Sequence, residues 1–237
     1  MSVLTSILHT LFPTTCVACG EVLVGDERQI CIGCLSQLAR TGYSQYANNP
    51  TELRLTGKIP FEQATSLLEY RQASRTRNIV HAMKYHGNDE LCVMMGRQMG
   101  LDLLKSSRFD DVDLLVPVPL HWWRRLQRGY NQSELLCRGI ACNFQRPIES
   151  HALVRHRYTQ KQSLQTKRQR ALNVEGVFRV RHPEKLAGHH ILLVDDVVTT
   201  GSTTISCGRE LAKAEGVRIS VVSMGYAGKK FLNNDNR

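Results

Sequence analysis

The run Ile191-Leu192-Leu193-Val194-Asp195-Asp196-Val197-Val198-Thr199-Thr200-Gly201-Ser202-Thr203 reads as a buried apolar strand, then two adjacent carboxylates, then a hydroxyl-rich turn with one glycine that leads into a helix. Open α/β sheets bind ligands beyond the carboxyl ends of their strands, which places Asp195 and Asp196 at a binding edge. Free N–H groups and the dipole at a helix N-terminus favour phosphate, and Thr199, Thr200, Ser202 and Thr203 add hydroxyl donors around Gly201. Carboxylates accept hydrogen bonds from vicinal hydroxyls. In this order the parts spell a cradle for a ribose that carries a 5-phosphate. Each part alone also fits an ordinary strand ending in Asp-Asp with a threonine capping the next helix; their succession favours the cradle.

Outward from that run the pattern is strand, loop, helix, repeated. Residues 114–118 predict a short buried strand, 133–143 a helix with Leu136, Ile140 and Ala141 on one face, 202–215 a helix closed by Gly216, and 217–224 a further strand. Such alternation implies a parallel sheet flanked by helices, an α/β fold. Further upstream, 64–70 reads as a strand and 74–85 and 89–105 as helices separated by His86, Gly87 and Asn88. Residues 44–58 are polar and hold Asn48, Asn49, Pro50 and Gly57, the composition of a linker. The expected division is therefore 1–43 as a helix and cysteine module, 44–60 as linker, 61–227 as the α/β domain and 228–237 as a polar tail.

Of the 237 residues 42% are hydrophobic, enough for a conventional core, and no apolar stretch approaches the ~20 residues of a membrane span. Val3, Leu4, Ile7, Leu8, Leu11 and Phe12 recur at helical spacing up to Pro13 with no basic residue before them, which reads as a short packed helix rather than a signal peptide. A cytoplasmic protein is expected. The net charge of +10 is concentrated: thirteen Lys or Arg against three acids fall between Leu114 and His182, leaving eighteen against eighteen elsewhere. One basic segment points to a localised anionic ligand, a polyphosphate before a nucleic acid.

Two parts of that segment have distinct chemistry. Val116-Pro117-Val118-Pro119, followed by Arg124, Arg125, Arg128 and Gly129-Tyr130-Asn131-Gln132, offers backbone N–H groups and guanidinium forks, the groups that hold a pyrophosphate. A turn with a solvated basic rim would have the same composition. Residues 155–174 carry Arg155, Arg157, Lys161, Lys167, Arg168 and Arg170 and no acid, with Gln162 and Leu164 among them. A polar loop of that length is functional or disordered, and its place just before the Asp-Asp run favours function.

Eight cysteines divide into Cys16, Cys19, Cys31 and Cys34 and the scattered Cys92, Cys137, Cys142 and Cys207. The scattered four read as buried thiols. Two Cys-x-x-Cys knuckles eleven residues apart form an S4 set that suits zinc, in a closed site whose role is structural. A pair of disulfides is the alternative in an oxidising compartment. The nine histidines show no metal spacing, His189-His190 reads as surface, and His121 stands beside the pyrophosphate-type segment.

The Asp-Asp-Val-Val-Thr-Thr-Gly-Ser-Thr run resembles the phosphoribosyl pyrophosphate (PRPP) motif of type I phosphoribosyltransferases. With Lys84-Tyr85-His86-Gly87, Pro117-Val118-Pro119, Arg128-Gly129-Tyr130-Asn131-Gln132 and the cysteine module, the chain is similar over nearly its whole length to the ComF (GntX) family of competence-associated proteins. The resemblance implies a type I phosphoribosyltransferase-like sheet behind a zinc module. It implies that Asp195 and Asp196 bind the ribose hydroxyls directly or through magnesium, that 199–203 hold the 5-phosphate, and that Pro117, Val118, Pro119, Arg124 and Arg128 form the pyrophosphate loop. Lys161, Gln162, Lys167, Arg168 and Arg170 would lie on a catalytic loop that closes over PRPP. A nucleobase acceptor, a variable hood over residues 61–105, an association with DNA uptake and a homodimer belong to the same expectation.

A rival function is single-strand binding, because Trp122, Trp123, Tyr130 and Tyr158 lie among the arginines and single strands are held by stacking as well as charge. A regulatory role finds no helix-turn-helix pattern to support it.

Overall fold

The computed structural model describes residues 13–85, 87–155 and 177–228. The expected N-terminal helix, most of the basic loop and the polar tail lie outside the described residues.

Four parallel strands form the main sheet in the order β1-β6-β5-β2. They are β1 (Ala64–Tyr70), β2 (Leu114–Pro117), β5 (His190–Val198) and β6 (Arg218–Ala227). Leu193 of β5 faces Val116 on one side and Val221 on the other. A parallel sheet is covered on both faces, so its strands are apolar throughout rather than alternating with polar residues. In β5, Leu192 and Val194 enter one core while Ile191 and Leu193 enter the other.

The first core is covered by α3 (Arg75–Tyr85), α4 (Asp89–Leu103) and α6 (Gln132–Phe144). Helices α4 and α6 cross with their backbones in contact. A Cβ on Gly139 would sit 2.1 Å from the Val93 carbonyl oxygen, and one on Gly96 would sit 2.3 Å from that of Leu136. The second core lies under α2 (Pro50–Leu55), α7 (Ser202–Leu211) and an antiparallel ribbon of β3 (Leu153–Arg155) and β4 (Phe178–Val180). A short helix, α5 (Trp122–Arg128), buries none of its residues.

The cysteine module adjoins the first core. Cys16, Ala18, Ile30, Cys34 and Leu38 share that core with Ile79, Val80 and Met83 of α3. Asn78 Nδ2 donates to the Ala18 carbonyl at 2.9 Å, and α1 (Ile32–Ser36) completes the second knuckle. Downstream, Thr41 N donates to the Leu67 carbonyl at 3.0 Å and Glu69 N to that of Ala39 at 2.8 Å, covering the open edge of β1.

Residues 44–60 are not a solvated linker, despite their composition. Asn49 caps α2 by accepting from Thr51 N and Glu52 N, and its amide donates to the Ala64 carbonyl at 2.8 Å. Glu52 pairs with Arg108, while Arg54 reaches the Thr199 carbonyl and, at 2.8 Å, Tyr226 Oη. These polar groups are buried because each has a partner, and composition cannot distinguish that case from solvation. His190 also differs from its expectation as a surface residue. It is fully buried, with Nε2 2.8 Å from Ser220 Oγ and Nδ1 3.0 Å from Asp111 Oδ1.

Candidate functional site

A cleft of about 650 Å³ opens at the carboxyl ends of the strands and gathers residues from across the sequence. Its formation follows from strand length. Pairing of β2 with β5 ends at Pro117 opposite Val194, whereas β5 runs on beside β6 through Val198. Asp195 and Asp196 therefore belong to the strand rather than following it, in the part that has outrun β2.

All four carboxylate oxygens of the pair are engaged. Asp195 Oδ1 accepts from Asp196 N at 2.8 Å, and Oδ2 from Thr204 Oγ1 at 2.9 Å. Asp196 Oδ1 accepts from Val197 N at 2.6 Å, and Oδ2 lies 2.8 Å from Lys84 Nζ. Burial, reinforced by the neighbouring Asp196 charge, pushes Asp195 up to about 7. Burial is the largest influence on Asp196 and acts in the same direction, but the Lys84 ammonium, the Val197 N–H and Arg128 together hold that carboxyl below its usual range.

The turn after β5 has its hydroxyl side chains in the open: Thr199, Thr200, Ser202 and Thr203 are exposed around buried Gly201. Gly201 has φ 79° and is the N-cap of α7; it offers no capping side chain, and Ser202 N donates to Thr200 Oγ1 at 3.3 Å. Glycine adopts that conformation without strain and brings no side chain of its own to the first turn of the helix. Thr199 and Thr203 line the cleft; Thr200 and Ser202, whose Oγ1 and Oγ bond each other at 2.8 Å, are not among its lining residues.

The opposite wall is the segment after β2. Val118 N donates to the Val194 carbonyl at 2.9 Å, and Asn131 Nδ2 fixes the Val118 carbonyl at 3.1 Å. Pro117 is buried at the strand end, while Val118, Pro119, Arg124 and Arg128 line the cleft. Arg125 turns away toward Glu134 of α6, 3.7 Å off. Arg155 enters the same cleft, whereas Lys161, Gln162, Lys167, Arg168 and Arg170 lie outside the described residues. His121 is buried at the start of α5, where its Nδ1 accepts from Trp123 N at 3.2 Å.

The remaining wall is α3, which contributes Arg77, His81, Lys84 and Tyr85. Lys84 and Arg54 are the residues sequence reasoning missed. Lys84 stands four positions after Val80 on the buried face of α3, a place where a lysine is unusual unless paired. Nothing in the sequence connects it to Asp196. Arg54 was hidden in a segment whose polarity suggested solvent.

Away from the cleft, the sulfurs of Cys16, Cys19, Cys31 and Cys34 lie within 4.8 Å of one another. Tetrahedral zinc with sulfur ligands at about 2.3 Å places them roughly 3.8 Å apart, so the cluster is compatible with structural zinc. Backbone N–H groups of Cys31 and Cys34 point at Cys16 Sγ and Cys31 Sγ at 3.3 and 3.4 Å, as ligand thiolates require. Magnesium fits the aspartates poorly. Their oxygens all have donors, and an ammonium holds the one a hard cation would use.

Comparison with known proteins agrees with this geometry. Residues 140–234 match the phosphoribosyl transferase domain family. The DNA utilization protein YhgH of Escherichia coli K12 is 30% identical over 165 residues, spanning 68% of this chain and 71% of that protein. The chain belongs to the ComF family. Competence protein F of Haemophilus influenzae is 29% identical over 231 residues, 93% of this chain and all of its own length. Competence protein ComFC of Bacillus subtilis is 36% identical over 107 residues, 44% of this chain and 41% of its own. As a ComF protein, the chain joins a phosphoribosyltransferase-like α/β domain to a four-cysteine cluster. Among the described residues no helix is long and apolar enough to cross a membrane.

Proposed function

We propose that the cleft binds PRPP and transfers its phosphoribosyl group to a nucleobase or related acceptor, in the service of DNA uptake or the use of DNA-derived bases. The observation that carries this reading is the convergence on one cavity of two segments far apart in sequence: the single run that holds the Asp195-Asp196 pair and the turn into α7, and the basic wall after β2. In this reading Asp195 and Asp196 take the ribose hydroxyls, 199–203 the 5-phosphate, and the backbone at 117–119 with Arg124 and Arg128 the pyrophosphate. Magnesium travels on the pyrophosphate of PRPP rather than on the aspartates. Zinc in the cysteine cluster is structural.

Departure of pyrophosphate builds negative charge on the leaving oxygens while the ribose carbon becomes cationic, so catalysis needs cations at one end and carboxylates at the other. In this reading Arg124 and Arg128 supply the former part of that arrangement and the Asp195-Asp196 pair the latter. Lys161, Lys167, Arg168 and Arg170, on a loop that closes over the bound substrate, complete it and exclude water. Incubation of the purified protein with magnesium, PRPP and each common base, following pyrophosphate release, tests the transfer. Replacing Asp195 and Asp196 together by Asn should weaken PRPP binding by calorimetry, whereas Arg168→Ala should lower turnover more than affinity. Unchanged affinity in the double variant overturns the assignment.

A second reading, single-strand binding with the PRPP site as a sensor, is favoured by α5. Trp122 is 65% exposed and Trp123 45%, side by side with Arg124 and Arg125. Single-strand affinity that falls steeply with salt, and again on Trp122→Ala or Trp123→Ala, supports it, and competition by PRPP would show that the two ligands share one basic wall.

A further inference from the structure

The stretch Lys84-Tyr85-His86-Gly87 has no chemistry assigned to it by the sequence, yet the structure ties Lys84 and Tyr85 to both other parts of the cleft. Lys84 Nζ lies 2.8 Å from Asp196 Oδ2 with about a quarter of its side chain exposed. The carbonyl of Met83, one residue earlier, accepts from Tyr130 Oη at 2.9 Å and from Gln132 Nε2 at 3.0 Å. Gln132 Oε1 in turn accepts from Arg128 Nη1 at 3.1 Å, and the Arg128 guanidinium lies over the Tyr85 ring, 5.6 Å from its centroid. The last turn of α3 is thus clamped between the basic wall and β5, and the clamp sets where the ammonium sits.

That position is where a metal bound to Asp196 would have to be. A divalent cation there would displace the ammonium, approach Arg128, and lose part of its own water shell, which magnesium gives up reluctantly. A lysine in the same place supplies the charge already desolvated and in position. It has three N–H donors, of which Asp196 takes one, so the others can reach a sugar hydroxyl or a phosphate oxygen.

We propose that Lys84 fills at Asp196 the place a divalent cation would otherwise take, so that the sugar end of the cleft binds a ribose phosphate without a metal on the protein. Lys84 is then a ligand-contacting residue whose counter-charge also keeps the two carboxylates from repelling an anionic ligand. The inference rests on the PRPP reading of the cleft.

Ribose 5-phosphate separates the metal that rides on pyrophosphate from any metal on the aspartates, because it has no pyrophosphate. Calorimetry of the full chain with ribose 5-phosphate, in EDTA and in millimolar magnesium, should give affinities within about twofold of each other. Lys84→Met should weaken binding in EDTA by about tenfold or more, with magnesium restoring part of it. A wild-type protein that needs magnesium to bind ribose 5-phosphate overturns the proposal, and this arm does not depend on any variant folding. So does a folded Lys84→Met protein that binds in EDTA as the wild type does. The two ideas fail separately: if wild type binds neither ribose 5-phosphate nor PRPP under any condition, the PRPP reading falls and takes the proposal with it. If both bind, the Asp195→Asn, Asp196→Asn double variant loses them, and Lys84→Met behaves as wild type, only the role of Lys84 falls.

Discussion

Asp195 is 5% exposed and sits against a second carboxylate, so the fold holds it in an environment that disfavours its charge. Its folded pKa of about 7 is above the ordinary 3.8, so the folded chain binds the extra proton and the unfolded chain does not between those two values. Stability should therefore be greatest below about pH 4 with respect to this group and fall as pH rises through 7. Carrying the charge costs roughly 2–4 kcal/mol at pH 8. Asp195→Asn should remove that cost: urea unfolding at pH 5 and pH 8 should show the variant gaining on wild type at the higher pH while losing ligand affinity. Equal pH dependence in the two proteins would mean that Asp195 is charged throughout. Carboxyls perturbed in this way cluster at functional sites.

The elements are held in place by contacts that leave no slack. Gly139 of α6 and Gly96 of α4 let two helix backbones touch, and α6 begins at the segment that forms the basic wall. A methyl group at Gly139 would meet backbone at Val93, which cannot rotate out of the way. Gly139→Ala should therefore separate the helices and destabilise the protein by about 1–3 kcal/mol or more, seen as a lower melting temperature. Because α6 carries Gln132, which grips the end of α3, ligand affinity should fall as well. A fully stable Gly139→Ala protein would show that the crossing is looser than drawn. Helix α2 works in the same manner on the other face, where Arg54 steadies the Thr199 carbonyl of the phosphate-type turn.

At the scale of the molecule, the cysteine cluster shares its core with α3 rather than hanging from a linker. Its loss should therefore be felt by the whole fold. Metal analysis of protein purified without chelator should find about one zinc per chain. Stripping the metal, or Cys31→Ser, should lower the melting temperature of a single cooperative transition, because Ile79, Val80 and Met83 lose their packing partners. Two separate transitions would instead mark an independent module, and a zinc content near zero in reduced protein would remove the metal from the account. Through α3 the same treatment should disturb Lys84, and with it the Asp196 side of the cleft.

Much of this was legible in the chain of residues because it depends on local order. The run from Ile191 to Thr203 encodes strand, carboxylates, turn and helix start in sequence, and each is dictated by neighbours within a few positions. Paired Cys-x-x-Cys knuckles are local in the same sense, and so are the apolar periods of β1, β2 and α4. The tertiary structure decided whatever depends on partners distant along the chain. Lys84 meets Asp196 across more than a hundred residues, and Arg54 meets Thr199 across 145. His190, read as surface, is buried, with Ser220 bonding its Nε2 and Asp111 beside its Nδ1. A polar side chain has the same composition whether water or protein completes its hydrogen bonds, and only the folded neighbourhood determines which of the two it is.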